Sequence, residues 1–182
     1  MSRFVLVLAL SAIPAIPAAA QTVTGDEAAA MLFAPDAIEV ELLVDTLPEN
    51  EAGALTQVAK AQPYYGAVAI SPDEGLMSEA TMAAVDHHTV DAASAAALAV
   101  CNAKKKGAAD CVVAAVIRPE GWEARPLQLS SSATSDFANY SGALAISAAT
   151  GSWGIGNSAE EAVAACAAKQ QAATDCAVAI AD

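Results

Sequence analysis

Apolar residues Ile38, Val40, Leu42 and Val44 alternate with Glu39, Glu41 and Leu43. A period of two marks a half-exposed strand. Before it, Thr24-Gly25-Asp26-Glu27 has the form of a capping box, which predicts a short helix running to Pro35. After it, Pro48 and its glutamate and asparagine neighbours open a helix to about Gln62, with Leu55, Val58 and Ala59 inward. Residues 21–64 thus read as an N-terminal αβα segment with no visible chemistry.

From Tyr65 the pattern recurs. Gly66-Ala-Val-Ala-Ile-Ser71 returns as Gly142-Ala-Leu-Ala-Ile-Ser147, each a short apolar strand. Turn residues follow in both places, Pro72-Asp73-Glu74-Gly75 and Ala148-Ala149-Thr150-Gly151. A second strand is expected over 76–85 and again over 152–156, then an alanine-rich helix over about 91–105 and 159–170. A cysteine lies near the end of each helix, and a second opens a valine-rich strand, 111–117 and 176–181. The cysteines fall at 101 and 111, then at 166 and 176, an identical separation. This order implies a duplicated β-hairpin–α–β unit over 65–182, with copies at 65–117 and 141–182. The connector, 118–140, carries a Pro-Glu-Gly turn, a short strand expected at 127–129 and a capped helix from about Ser132. It is long enough to cover an edge or a face of a sheet.

The fold class that follows is α+β, with a mixed or mainly antiparallel sheet built from two related units and helices on one face. Alanine is the commonest residue, 49 of 182, while aromatics are 4%. Such a chain fills its core by close approach of helix to strand. Trp122, Trp153, Tyr64, Tyr65, Phe137 and Tyr140 lie at the unit junctions, where core and hairpin packing explains them better than a ligand platform.

Charge and the N-terminus narrow the function classes. A net charge of -13 repels phosphate backbones and anionic lipids, which argues against a nucleic-acid partner. Arg3, the apolar run 4–13 and Ala18-Ala19-Ala20 before Gln21 have the form of a signal peptide over 1–20. Pro14 and Pro17 break the run, which is too short to span a bilayer. No membrane span is expected in the mature chain, and a periplasmic or secreted location follows. That compartment permits disulfides Cys101–Cys111 and Cys166–Cys176. Each would close a loop of about ten residues and contribute roughly 2.5–3 kcal/mol in the chain-entropy model. A zinc site would want closer cysteine knuckles, and redox catalysis a C-x-x-C pair.

The strand, helix and cysteine pattern resembles a family of bacterial secreted domains of unknown function. These carry a YGAIAYS-like strand, an alanine-rich helix and a Cys…Asp-Cys strand, often twice. The matching positions are 65–71, 95–101 with Asp110-Cys111, 142–147, and 162–166 with Asp175-Cys176. The extra tryptophans and glycines usual after the first strand are missing here. The resemblance implies an exported domain and brings no activity with it. Short exported chains of this kind also look like some labelled 5-aminolevulinate synthase. That chemistry needs a buried Schiff-base lysine in a much larger fold, and the lysines here (60, 104–106 and 169) belong to polar helix surfaces or ends.

Three stretches invite a chemical reading. Asp86-His87-His88 is the one histidine cluster, and it could form an acid–base group or ligand pair with Glu79 or Asp91. Adjacent strand histidines point to opposite faces, and the second copy has none, so a polar strand end whose imidazoles meet solvent is the simpler reading. Gly154-Ile155-Gly156-Asn157-Ser158-Ala159 matches a dinucleotide fingerprint, with Asp182 after the next strand. The strand before it is short and polar, and no further βα unit follows. A strand end with a capping box at Ser158-Ala-Glu-Glu161 accounts for it, and no cofactor is expected. Lys104-Lys105-Lys106-Gly107 reads as cations at a helix C-terminus with a glycine cap. No complete catalytic set is visible. The favoured function is an exported, non-catalytic module binding a protein, an envelope component or a small ligand. The alternative is a small exported enzyme acting through Asp86, His87 and His88.

Overall fold

The computed structural model describes residues 22–45 and 47–182, so the leader expected over 1–20 lies outside the described residues. Thr24 accepts from the Glu27 amide while the Glu27 carboxylate reaches back to Thr24 N, the expected capping box, and starts α1 (Gly25–Met31). Strand β1 (Ile38–Leu42) and helix α2 (Glu49–Ala59) follow. Leu55 and Ala59 are buried as expected, but Val58 is 64% exposed, because the helix turns the side of Ala52, Leu55, Thr56 and Ala59 inward.

The first unit contains β2 (Gly66–Ile70), β3 (Met82–Ala84), α3 (Val90–Lys104) and β4 (Val112–Pro119). The second contains β5 (Ala143–Ile146), β6 (Trp153–Gly156), α5 (Ala159–Lys169) and β7 (Ala177–Ala181). Between them the connector holds α4 (Ser131–Asp136) and a 3-10 turn, Phe137–Asn139. The α+β class and antiparallel pairing are as the sequence implied, but the strands divide into two sheets: β1-β4-β2-β3 and β6-β5-β7. Each unit places its first strand between its second and third. Both sheets also slip register at the same point, between Val68 and Ala69 and between Leu144 and Ala145, skipping Ala114 and Ala179 in the partner strands.

Two expectations change in detail. The second strand of the first unit is three residues, not ten, because 76–81 coil into turns pinned by Thr81 Oγ1 donating to Leu76 O at 2.6 Å. Residues 127–129 form no strand; Leu127 and Leu129 instead pack with Leu144, Ile180 and Trp153 on a face of the second sheet.

Side-chain size decides which helix lies on which face. Ala67 and Ala69 face Ala93, Ala97 and Cys101 of α3, while Val68 and Ile70 face Leu55 of α2. The first sheet is therefore covered on both faces, and all five residues of β2 are buried. In the second sheet Ala143 and Ala145 meet Ala162 and Cys166 of α5. Cys101–Cys111 and Cys166–Cys176 are both disulfides, each with Cα atoms 6.1 Å apart, so each brace ties a helix end to the following strand. Among the described residues no helix is long and apolar enough to cross a membrane. The two disulfides fit an oxidising compartment.

Candidate functional site

The joint between the two units is made by the segment after β3. Asp86 has φ of +60°, the one non-glycine residue in the left-handed region among those described, and turns the chain inward. Its Oδ1 accepts from Ser132 N at 2.9 Å, at the start of α4. His87 N then donates to Tyr65 O at 3.1 Å, and Thr89 caps α3 by accepting from Ala92 N. Asp86, His87 and His88 are thus brought together, but as a crossing point of three segments.

The histidines are not solvent-facing, which corrects the expectation of a polar strand end. His87 is 8% exposed and His88 2%. Ser130 N donates to His88 Nδ1 at 3.0 Å, so the ring proton lies on Nε2, which donates to Ser152 O at 3.1 Å. The connector and the second unit thus both hang on one neutral imidazole. Burial lowers the pKa of His88, against the Ser152 carbonyl and Asp86, which favour the charged ring. Both nitrogens are occupied, so this ring can carry a proton to nothing else. His87 is also shifted down by burial, opposed by the nearby Thr150 backbone and Asp86, and among the described residues neither ring nitrogen makes a well-formed hydrogen bond. Its ring is packed against Gly151, whose φ of +74° and closeness leave no room for a side chain: a Cβ there would meet Asp86 O and His87 Cα. Neither proposed helper joins the group. Glu79 pairs with Lys106 at 3.5 Å, and Asp91 is exposed in the first turn of α3.

On the outer side of this joint lies an open cleft of about 400 Å³, lined by Asp86, Ser132, Gly151, Ser152, Trp153 and Lys169 among others. Trp153 Nε1 donates to Ser132 Oγ at 2.9 Å, which fixes the indole, and Lys169 Nζ sits 2.8 Å from the ring centroid. Desolvation by this packing lowers the Lys169 pKa, opposed by Asp136 and Asp86. A second cavity of about 340 Å³ lies by His88 and Thr89, walled by Val23, Leu127, Ile146 and Ala179. Its walls are mostly apolar and its histidine is spoken for. The cleft at Trp153 is where an indole face, an ammonium and the second carboxylate oxygen of Asp86 meet.

The other motifs resolve into structure. Gly154 and Gly156 let α5 lie directly on β6: a Cβ on Gly154 would collide with Cys166 N, and one on Gly156 would come within 2.6 Å of Ala162 N. Ser158 caps α5, and the Glu161 carboxylate bonds Asn157 N rather than Ser158 N. Asp182, the acidic residue after the next strand, accepts from Gly25 N at 2.9 Å. Gly107 is not a left-handed cap; it is required because Asp73 Cβ lies 2.6 Å from where its own would be. Lys105 folds back onto Ala109 O and Asp110. Of the aromatics, Tyr64 and Tyr65 are fully buried and meet edge to face at 5.3 Å, as expected of core residues. Trp153 both packs in the core and walls the cleft.

Sequence reasoning did not assemble Ser130, Ser132, Ser152 and Lys169. The serines stand out as a run before a helix, but their partners lie across two units, and no local spacing links Lys169 to Trp153. No protein-family model, curated protein or solved structure matches the chain.

Proposed function

We propose that the chain is an exported, non-catalytic binding module of the periplasm or cell exterior, and that the cleft at Trp153 takes a small ligand. The observation that carries this reading is the cleft itself: a fixed indole, a serine hydroxyl, a carboxylate and an ammonium converge on one open space. The occupied ring of His88 supports it, since both of its nitrogens are engaged in holding the joint. Leader-like residues 1–20 and the two disulfides support export. Shared strand order, register slip and disulfide span support an internal duplication of the kind the resemblance to secreted domains implies.

The test is a thermal-shift screen of the oxidised, mature protein against a chemically broad library of small molecules. Hits should raise Tm in the wild type and lose most of their effect in Ser132→Ala and Trp153→Phe. Hits unaffected by either substitution would place the ligand elsewhere.

The enzyme reading rests on His87, whose buried ring nitrogens make no well-formed hydrogen bond among the described residues, beside the strained Asp86. A turnover found in the purified protein and abolished by His87→Asn, with folding intact, would favour it over the binding module.

A further inference from the structure

We infer that the Trp153 cleft is a site for a small organic ammonium ion, and that Lys169 occupies it in the unliganded protein. The inference rests on the cleft being the ligand site and names the chemistry it selects. Lys169 Nζ lies over the indole face, where the ring quadrupole is negative, and among the described residues it forms no ion pair with a carboxylate. An ammonium group is therefore already seated on this ring by cation–π attraction and the field of its surroundings. That field is negative: Asp86 lines the cleft and Asp136 lies close enough to act on the lysine. Only Oδ1 of Asp86 is engaged, by Ser132 N. Thr150 and Ser152 complete the rim, their hydroxyls donating to Ser147 Oγ and Cys166 O. The ring cannot turn away, because its N–H is tied to Ser132 Oγ.

The occupant is the movable part. Lys169 is the last residue of α5, and the chain leaves the helix at Gln170 with φ of -152°. The residue as a whole is exposed, and its flexible four-carbon stem can swing to solvent without disturbing the helix. A ligand ammonium would take its place over the ring and meet the same carboxylates. A chain of net charge -13 also draws cations toward its surface and repels anions. A ligand carboxylate would gain Lys169 but face Asp86 and Asp136 at once.

The experiment uses the oxidised protein carrying Trp122→Phe, which leaves Trp153 as the one indole, with butylammonium chloride as the probe. Butylammonium should change Trp153 fluorescence saturably. Lys169→Ala should tighten the apparent affinity about tenfold, since the competing ammonium is gone. Asp86→Asn in that background should weaken it again. Sodium chloride at equal ionic strength, butanol and pentanoate should produce no saturable change. Circular dichroism checks that each variant is folded, and Lys169→Gln serves as a second open variant. Loss of affinity on removing Lys169, or a response that sodium chloride reproduces, would overturn the inference. If pentanoate or butanol titrates Trp153 and butylammonium does not, the ammonium assignment fails while the cleft remains the ligand site. If no probe or library compound perturbs Trp153 in the Lys169→Ala protein, both fail.

Discussion

At His88 one ring satisfies two buried backbone groups of opposite kind, the Ser130 amide and the Ser152 carbonyl. Solvent-facing histidines would tolerate replacement at well under about 1 kcal/mol. With the ring buried, His88→Ala strands a donor and an acceptor, and the expected loss is about 2–4 kcal/mol in urea denaturation at pH 7.5. The same geometry fixes the sign of the pH dependence. Burial holds both histidines below their ordinary value of 6.5 in the folded protein, so the unfolded chain takes up protons first as pH falls. Their contribution is complete above about pH 6.5 and shrinks below it, until the folded rings themselves protonate. A protonated His88 would turn a second N–H against that of Ser130. Urea midpoints should therefore drop between pH 7.5 and 5.5, with a smaller drop in His87→Ala/His88→Ala. An equal drop in both proteins would assign the acid sensitivity to other groups.

Among the elements, the closest contact is α5 on β6, and it turns on two glycines. Gly154→Ala must push its Cβ into the backbone at Cys166 N and Ala162 O, where no side chain can yield. The expected cost is about 3 kcal/mol, at the upper end for overpacking. Gly53, inside α2, has nothing within 4 Å of its missing Cβ. Gly53→Ala should therefore gain about 0.5–1 kcal/mol, from helix propensity and a less free unfolded chain. Opposite shifts in Tm would confirm the pair; a loss at both positions would mean that α2 is less open than its exposure indicates. These glycines show what the chain made legible. Gly154-x-Gly156 was recognisable as special, and a short polar strand was enough to doubt a phosphate loop, but the reason, backbone against backbone, is a tertiary fact. Helices α3 and α5 were legible because alanine runs end at cysteines of equal spacing. Strand β3 was overextended because 76–81 is apolar enough for a strand, while a hydroxyl-to-carbonyl bond within it favours turns. The candidate site was half legible. Asp86, His87 and His88 stood out as a cluster, but their burial depends on Ser130 and Ser152, from segments that no periodicity connects to them.

For the whole molecule the question is why two sheets, each with its own disulfide and helix, behave as one structure. The N-terminal segment answers part of it. Val23 bridges to the outer edge of β7, donating to Ala179 O and accepting from Ala181 N, and fifteen residues on β1 pairs with the outer edge of β4. One strand of chain thus covers an edge of each sheet, which also protects edges that could pair with other chains. Arg125 adds a tie from the connector, donating to Met31 O at 2.7 Å at the end of α1 and stacking on Phe33. His88 on Ser152 crosses directly from one unit to the other, while Ser130 on His88 and Gly25 on Asp182 tie the connector to the first unit and the N-terminal segment to the second. Local destabilisation should then spread rather than stay in its own unit. The two tryptophans report on the two sides: Trp122 stacks under Arg118 of β4, and Trp153 begins β6. Single-tryptophan proteins made by Trp122→Phe and Trp153→Phe should each lose stability when Cys166 and Cys176 are both replaced by alanine. The loss should be about 2.5–3 kcal/mol in the chain-entropy account. Both probes should report it with coincident urea transitions, because the altered unit cannot unfold without releasing Val23 and His88. If the Trp153 signal melts early while Trp122 keeps its original midpoint, the units are energetically independent. The N-terminal segment would then be a cover for two sheet edges and not a strap between them.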